Sequence, residues 1–192
     1  MGGAVYYRYP RIADPLKFVE TPLPGLIEVE ATPHTDPRGS FARAFCIDTF
    51  AEAGLDFVPV QTNLSTNGAY TLRGLHYQSA PFGERKLVRA VSGRAYDVAV
   101  DLRRGPTFGK WHAVELCADK MNAVFIPEGF AHGFLALEPN TTLLYQMSPA
   151  YTAGHAAGIR WNDPDIAIAW PGEPQIMSDA DKKFPLLAQF EA

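Results

Sequence analysis

The sequence has no apolar run of the ~18 residues that a membrane-spanning helix requires, so none of its segments is read as crossing a bilayer that way. Cysteine is scarce. Cys46 and Cys117 are the only two, too few for a disulfide framework or a four-thiolate zinc site, and they read as reduced thiols in a cytoplasmic protein. Basic charge is not in excess: 17 Lys and Arg stand against 21 Asp and Glu, a net charge of −4. A broad nucleic-acid footprint is excluded by that balance, although a local basic pocket is compatible with it. Residues 1–10 lack an apolar stretch followed by a small-residue cleavage site, so no secretion leader is expected there. Internal repeats and low-complexity linkers are also missing. The 192 residues suffice for one well-buried domain and are marginal for two, so a single domain over 1–192 is expected.

What the sequence does have is punctuation. Sixteen glycines and sixteen prolines are spread along the chain, and short apolar runs lie between them. Strands are expected over 86–91, 94–102, 111–116, 123–126, 133–137 and 141–147, several with partial alternation of polar and apolar side chains. Ser92-Gly93 suits a tight hairpin between the first two. Helix is sparse: one or two turns over 48–54, starting at an Asp cap and stopping at Gly54, and a short helix over 179–187. The Asp- and Pro-rich stretch 161–174 reads as an ordered loop. Many short strands with few helices make this an all-β sandwich or barrel.

Five histidines are present. His34, His112 and His155 read as satisfied or exposed imidazoles. His76, in Leu72-Arg73-Gly74-Leu75-His76-Tyr77-Gln78, and His132, in Pro127-Glu128-Gly129-Phe130-Ala131-His132-Gly133, sit in more suggestive settings. The second resembles the Pro-x-Gly-x-x-His turn of cupin barrels. A metal would want three or four convergent ligands, and His76, Glu84 and His132 are all that the sequence offers, so no metal site is expected. Arg38, Arg73 and Lys86 near these histidines suggest an anion pocket, because the guanidinium fork matches phosphate oxygens.

These motifs, together with Lys86-Leu87-Val88-Arg89, the 97–109 stretch containing Pro106-Thr107-Phe108-Gly109, and Gly158-Ile159-Arg160-Trp161-Asn162-Asp163-Pro164-Asp165, resemble the deoxysugar-nucleotide epimerases typified by dTDP-4-dehydrorhamnose 3,5-epimerase. The resemblance runs over about 18–187. It implies a cupin-type jelly-roll barrel with no catalytic metal and no cofactor. It also implies a homodimer with an exchanged N-terminal strand, and a nucleotide-sugar substrate in dTDP-rhamnose and O-antigen biosynthesis. Residue by residue, it makes His76 the base, Asp181 its orienting carboxylate, Lys86 the partner of the 4-keto oxygen and Tyr145 the acid on the opposite face. Arg38 and Arg73 become diphosphate contacts. Gln61 and Asn63 line the nucleotide and sugar site, His132 is a second pocket histidine, and Tyr151 and Phe41 are aromatics on the substrate side. One departure stands out: Ser40-Phe41-Ala42-Arg43 puts Arg43 where an acid is expected. The nucleotide therefore stays open, with dTDP the family default and CDP or GDP as alternatives.

The chemistry needs these residue types. A 4-keto sugar has acidified C–H bonds at C3 and C5. An imidazole titrates in the working range of a base, a carboxylate fixes its tautomer, and an ammonium stabilises charge on the 4-oxygen. A phenol across the ring returns the proton. The alternatives are a mono-epimerase at C3 or C5, a metal-dependent cupin enzyme, and a non-catalytic sugar-nucleotide binder.

Overall fold

The computed structural model describes residues 16–190. The expectations for residues 1–10, and any strand preceding Leu16, lie outside the described residues. Strands β1 (Leu16–Glu20), β2 (Ile27–Ala31), β10 (Ala123–Ile126), β7 (Arg85–Ser92), β12 (Thr141–Ser148) and β5 (Gln61–Asn67) form a six-stranded sheet in that spatial order. The second sheet runs β13 (Ala156–Gly158), β6 (Leu72–Gln78), β11 (Phe130–Ala136), β8 (Arg94–Asp101) and β9 (Trp111–Cys117). A separate hairpin joins β3 (His34–Asp36) to β4 (Gly39–Phe41). The ladders are antiparallel. From β5 onward the chain passes back and forth between the two sheets, with β8 and β9 the one consecutive pair in the same sheet. This is the cupin-type jelly roll that the resemblance implied.

Period-two alternation explains how the layers close. On β7, Val88 and Ala90 point between the sheets, while Leu87 joins a cluster on the outer face. The inner cluster includes Leu26, Leu116, Ile126, Phe130 and Leu143. The outer face of the six-stranded sheet is covered by α1 (Ile47–Glu52), whose fully buried Phe50 packs edge-on against Phe18 with centroids 5.1 Å apart. Burying a ring of that kind contributes about 1.5–3 kcal/mol. The outer face of the other sheet (Leu75, Val98, Val100, Ala131) is covered by Ile159, Ile166 and the segment running to Leu187.

The structure corrects three local expectations. Ser92-Gly93 is not a hairpin between paired strands, because β7 and β8 belong to different sheets. Gly93 has φ of +68° and turns a corner where a Cβ would lie 2.6 Å from Thr141 Oγ1. A tight hairpin and a sheet-to-sheet corner both call for a left-handed glycine, so the local sequence reads alike for both. α1 starts after Cys46, which makes no side-chain cap, and Asp48 lies in its first turn, where a carboxylate favours the helix dipole. The expected helix over 179–187 is instead two 3-10 turns, Asp181–Lys183 and Leu187–Gln189. The 161–174 loop is ordered by Asp163, whose Oδ1 accepts from the Asp165 and Ile166 N–H groups and whose Oδ2 accepts from Leu187 N–H.

Candidate active site

A cavity of about 650 Å³ opens between the two sheets. Val88, Phe134 and Leu143 belong both to the core and to its wall. The five-stranded sheet contributes His76 and Arg73 from β6 and His132 from β11. The six-stranded sheet contributes Lys86 from β7, Tyr145 from β12, and Gln61 and Asn63 from β5. Lys86 and Tyr145 fall on the inner face by alternation, next to Val88, which is the cross-strand partner of Tyr145.

β6 needs more than alternation. Arg73 and His76 are an odd number of residues apart, and a regular strand would point them to opposite faces. Arg73 is opposite Phe134 and His76 is opposite His132, so Gly74 and Leu75 together face the single residue Gly133. This bulge brings both side chains to the cavity. Only glycine fits there. A Cβ on Gly74 would lie 2.5 Å from Gly133 Cα, and one on Gly133 would lie 2.7 Å from the Arg73 carbonyl oxygen.

His76 Nε2 lies 2.9 Å from Asp181 Oδ1. The other carboxylate oxygen, Oδ2, accepts from Gly74 N–H at 3.1 Å. Asp181 is itself seated by Ser178, whose Oγ accepts from the Asp181 N–H. Burial pushes the Asp181 carboxyl up, but the hydrogen bonds from His76 and Gly74 outweigh it and hold the group below the usual carboxylate value. An ionised carboxylate only accepts, so Nε2 carries the hydrogen and Nδ1 keeps the free lone pair. The Phe184 ring packs edge-on to the imidazole at 5.6 Å, and Gly158 leaves room for it, since a Cβ there would come within 2.4 Å of the ring.

A second imidazole–carboxylate pair lies beside the first: His132 Nε2 is 2.8 Å from Asp97 Oδ2, and both residues are buried. Lys86 Nζ is 2.7 Å from Glu84 Oε1, with both side chains more than nine-tenths buried. At the rim, Arg73 Nε donates to Asn67 Oδ1 at 2.7 Å. Gln61 Oε1 accepts from Tyr151 N–H, and Gln61 Nε2 donates to Asn63 Oδ1. Gln78 ties two loops together, accepting from Thr152 N–H and donating to the Phe82 carbonyl.

The cavity thus collects His76, Asp181, Lys86, Tyr145, Gln61, Asn63, Arg73, His132 and Tyr151. It does not collect Arg38 or Phe41 from the same chain. Both lie on the β3–β4 hairpin, Arg38 with its side chain 90% exposed and paired to Asp36, and Phe41 72% exposed. Sequence reasoning gave no role to Gln78 or Phe184. Gln78 closes the quoted β6 motif, whereas nothing local marks Phe184. Of the remaining histidines, His112 pairs with Glu28, His155 stacks near Phe82, and His34 is exposed. Among the described residues, no three His, Cys, Asp or Glu side chains are grouped as metal ligands.

The profile of the dTDP-4-dehydrorhamnose 3,5-epimerase family matches residues 20–189. The chain is 42% identical over 178 residues to the dTDP-4-dehydrorhamnose 3,5-epimerase of Methanothermobacter thermautotrophicus, covering 90% of this chain and 95% of that one. It is 38% identical over 167 residues to the dTDP-4-dehydrorhamnose 3-epimerase of Streptomyces niveus, covering 86% and 81%. The crystal structure of the Legionella pneumophila 3,5-epimerase in complex with dTDP-4-keto-L-rhamnose superposes with a TM-score of 0.87 at 35% identity, covering 92% of this chain and 95% of that one.

Proposed function

The chain belongs to the dTDP-4-dehydrorhamnose 3,5-epimerase family, and from that membership and the cavity we propose that it epimerises dTDP-4-keto-6-deoxyglucose at C3 and C5 on the way to a rhamnose-type deoxysugar. It is an isomerase. The observation that carries the reading is the placement of His76 and Tyr145 on opposite sheets around one cavity, with Lys86 beside Tyr145.

The ketone at C4 acidifies the hydrogens on both flanking carbons. His76 Nδ1 takes one of these protons, and the resulting imidazolium is stabilised by Asp181. The electron pair moves onto the C4 oxygen, where the Lys86 ammonium meets the developing charge. The Tyr145 hydroxyl then delivers a proton to the carbon from the other face, inverting it, and is reprotonated from solvent, to which His76 releases the proton that it took. Repeating the cycle at the second carbon inverts that centre too. Arg73 and His132 hold the polar periphery of the substrate, and Gln61, Asn63 and Tyr151 line its nucleotide end.

Arg38 and Phe41 are assigned to the site of a second copy. Their exposure on a hairpin away from the cavity of their own chain supports a homodimer in which each protomer completes its neighbour's nucleotide pocket. We take the chain as one epimerase domain. Its free thiols, Cys46 and Cys117, suit a reducing cytoplasm, and no helix among the described residues is long and apolar enough to cross a membrane.

The test is proton NMR in heavy water with dTDP-4-keto-6-deoxyglucose. Deuterium wash-in at C3 and C5, with the L-configured product appearing, is expected. Wash-in at one carbon alone would make the protein a mono-epimerase. Absence of exchange at both, on this and on CDP- and GDP-linked 4-keto sugars, would overturn the reading.

A further inference from the structure

The carboxylate that orients His76 comes from a turn with little structure of its own. Asp181–Lys183 is a single 3-10 turn, and its local bonds end close by. The Asp181 N–H donates to Ser178 Oγ, the Lys182 N–H to the Ser178 carbonyl and the Lys183 N–H to the Ala180 carbonyl. None of these ties the turn to the barrel. Upstream, the chain is moored at Ile176, whose carbonyl accepts from the Leu72 N–H. Downstream, it is moored by Arg160, which donates to two consecutive residues. Its Nε reaches the Phe184 carbonyl at 2.6 Å, and its backbone N–H reaches the Pro185 carbonyl at 2.8 Å.

The strand register puts Arg160 where it can do this. β13 pairs with β6 so that Gly158 stands opposite His76, Ile159 and Leu75 exchange backbone hydrogen bonds, and Arg160 follows at once. It therefore fastens the chain that carries Asp181 to the strand beside His76. The residue it grips serves both members of the pair. Phe184 directly follows the Asp181 turn, and its ring packs edge-on against the imidazole in the room that Gly158 leaves. Arg160 itself is half-buried and does not line the cavity.

We propose that Arg160 is a positioning residue for the His76–Asp181 pair, acting through the bond from its Nε to the Phe184 carbonyl. The role rests on His76 being the base of the epimerase reading. A catalytic pair works only within about 0.5 Å of its productive geometry, and hydrogen bonds one layer out hold it there. A misplacement of about 1 Å, even from a change away from the chemistry, can cost about a hundredfold in rate. Without the Nε bond, the residue that links the Asp181 turn to the imidazole loses the side-chain half of its mooring.

The experiment uses two substitutions of matched shape. Glutamine carries its amide nitrogen as many bonds from the backbone as arginine carries Nε, so Arg160→Gln keeps a donor there without the charge. Methionine puts a methyl at that place, so Arg160→Met keeps the shape without the donor. Both retain the backbone bond to Pro185, and the side chain is half-exposed, so both should fold; melting curves set an assay temperature below their transitions. With dTDP-4-keto-6-deoxyglucose, Arg160→Met should lower kcat for deuterium wash-in by roughly tenfold to a hundredfold. KM should stay within about twofold, because the side chain does not line the cavity. Arg160→Gln, with a neutral donor in place of a charged one, should keep kcat within about threefold of wild type. In the Asp181→Asn background the orienting carboxylate is already gone, so Arg160→Met should cost less than about threefold more, since changes acting through one pair do not add.

Four results overturn the assignment: a wild-type kcat in Arg160→Met, a rise in KM in place of the fall in kcat, an equal loss in Arg160→Gln, or the full further loss in the Asp181→Asn background. A wild type that exchanges neither carbon is a different outcome, and it overturns the epimerase reading itself.

Discussion

His76 and Tyr145 line one cavity from opposite sheets, the imidazole carried by β6 and the phenol by β12. Two proton-handling groups on the same strand face would only remove and replace a proton at one side of a ring. Placed across a cavity, an imidazole and a phenol can reach both faces of a ring held between them, which is what inversion at carbon demands.

The first prediction separates the two roles. His76→Ala should lower deuterium wash-in at both carbons by about 10²–10⁴, the usual contribution of a positioned general base. Tyr145→Phe should keep much of the wash-in, because abstraction by His76 survives, while the inverted product falls far more steeply. NMR of the recovered sugar reads both quantities. Equal losses of exchange and inversion in Tyr145→Phe would remove the phenol from the proton-returning role.

Asp181→Asn tests the orienter. The amide keeps the shape but offers a donor where the carboxylate accepted, so it favours the tautomer with the wrong nitrogen free. A fall in kcat of about 10²–10⁴ with little change in KM is expected. In wild type the Asp181 carboxyl is held low by His76 and Gly74 against the effect of burial, so the pair should keep its carboxylate into mild acid. A wild-type kcat in Asp181→Asn would remove the carboxylate from the orienting role.

Acid stability follows from the same sign. Asp101 is fully buried, and burial alone would raise its pKa. The Arg103 and Thr107 hydrogen bonds, with the Arg103 N–H, reverse this and leave it lowered. A carboxyl depressed in the folded state stabilises the protein at pH values above its unfolded pKa, about 3.9. That contribution is lost as pH falls through the lower, folded value. Asp101→Asn should therefore destabilise the protein near neutrality by about 1–3 kcal/mol and flatten the decline in stability between pH 5 and 3. Urea melts across that range check it, and a variant with wild-type stability and slope would refute the assignment.

Much of this was legible because the informative features are local. Alternation along 86–91 and 141–147 puts Lys86 and Tyr145 on the face of their neighbouring apolar residues without any knowledge of the fold. Long-range features were not legible. Gly93 reads as a hairpin, and only the sheet order shows that it turns a corner. Asp181 follows nearly the whole barrel in sequence, and neither composition nor spacing links it to His76; only the resemblance did. The exposure of Arg38 and Phe41 depends on where the β3–β4 hairpin stands relative to the cavity, which no local pattern encodes. Glu84 was read only as one of too few metal ligands, because its pairing with Lys86 depends on the path of the 79–84 loop.

The bulge on β6 gives the last prediction. Arg73 and His76 share a cavity only because Gly74 and Leu75 together face Gly133, and the backbones there approach too closely for a side chain. Gly133→Ala places a methyl 2.7 Å from the Arg73 carbonyl oxygen, 2.9 Å from Leu75 Cδ2 and 3.1 Å from Gly74 Cα. Two of these atoms are backbone and cannot rotate away, so β6 must move. Overpacking of this kind costs about 1–3 kcal/mol, which for a chain of this size lowers the melting temperature by roughly 2–4 °C for each kcal/mol. The displacement also falls on the two residues flanking the bulge, so kcat should drop further than the stability loss accounts for at a temperature where the variant remains folded. Gly68→Ala is the control: its new methyl would meet the nearest atom at 3.5 Å, ordinary contact, and should change stability by no more than about 0.5 kcal/mol. If Gly133→Ala matched that control in both melting and turnover, the close approach of β6 and β11 would not be what aims the imidazole into the cavity.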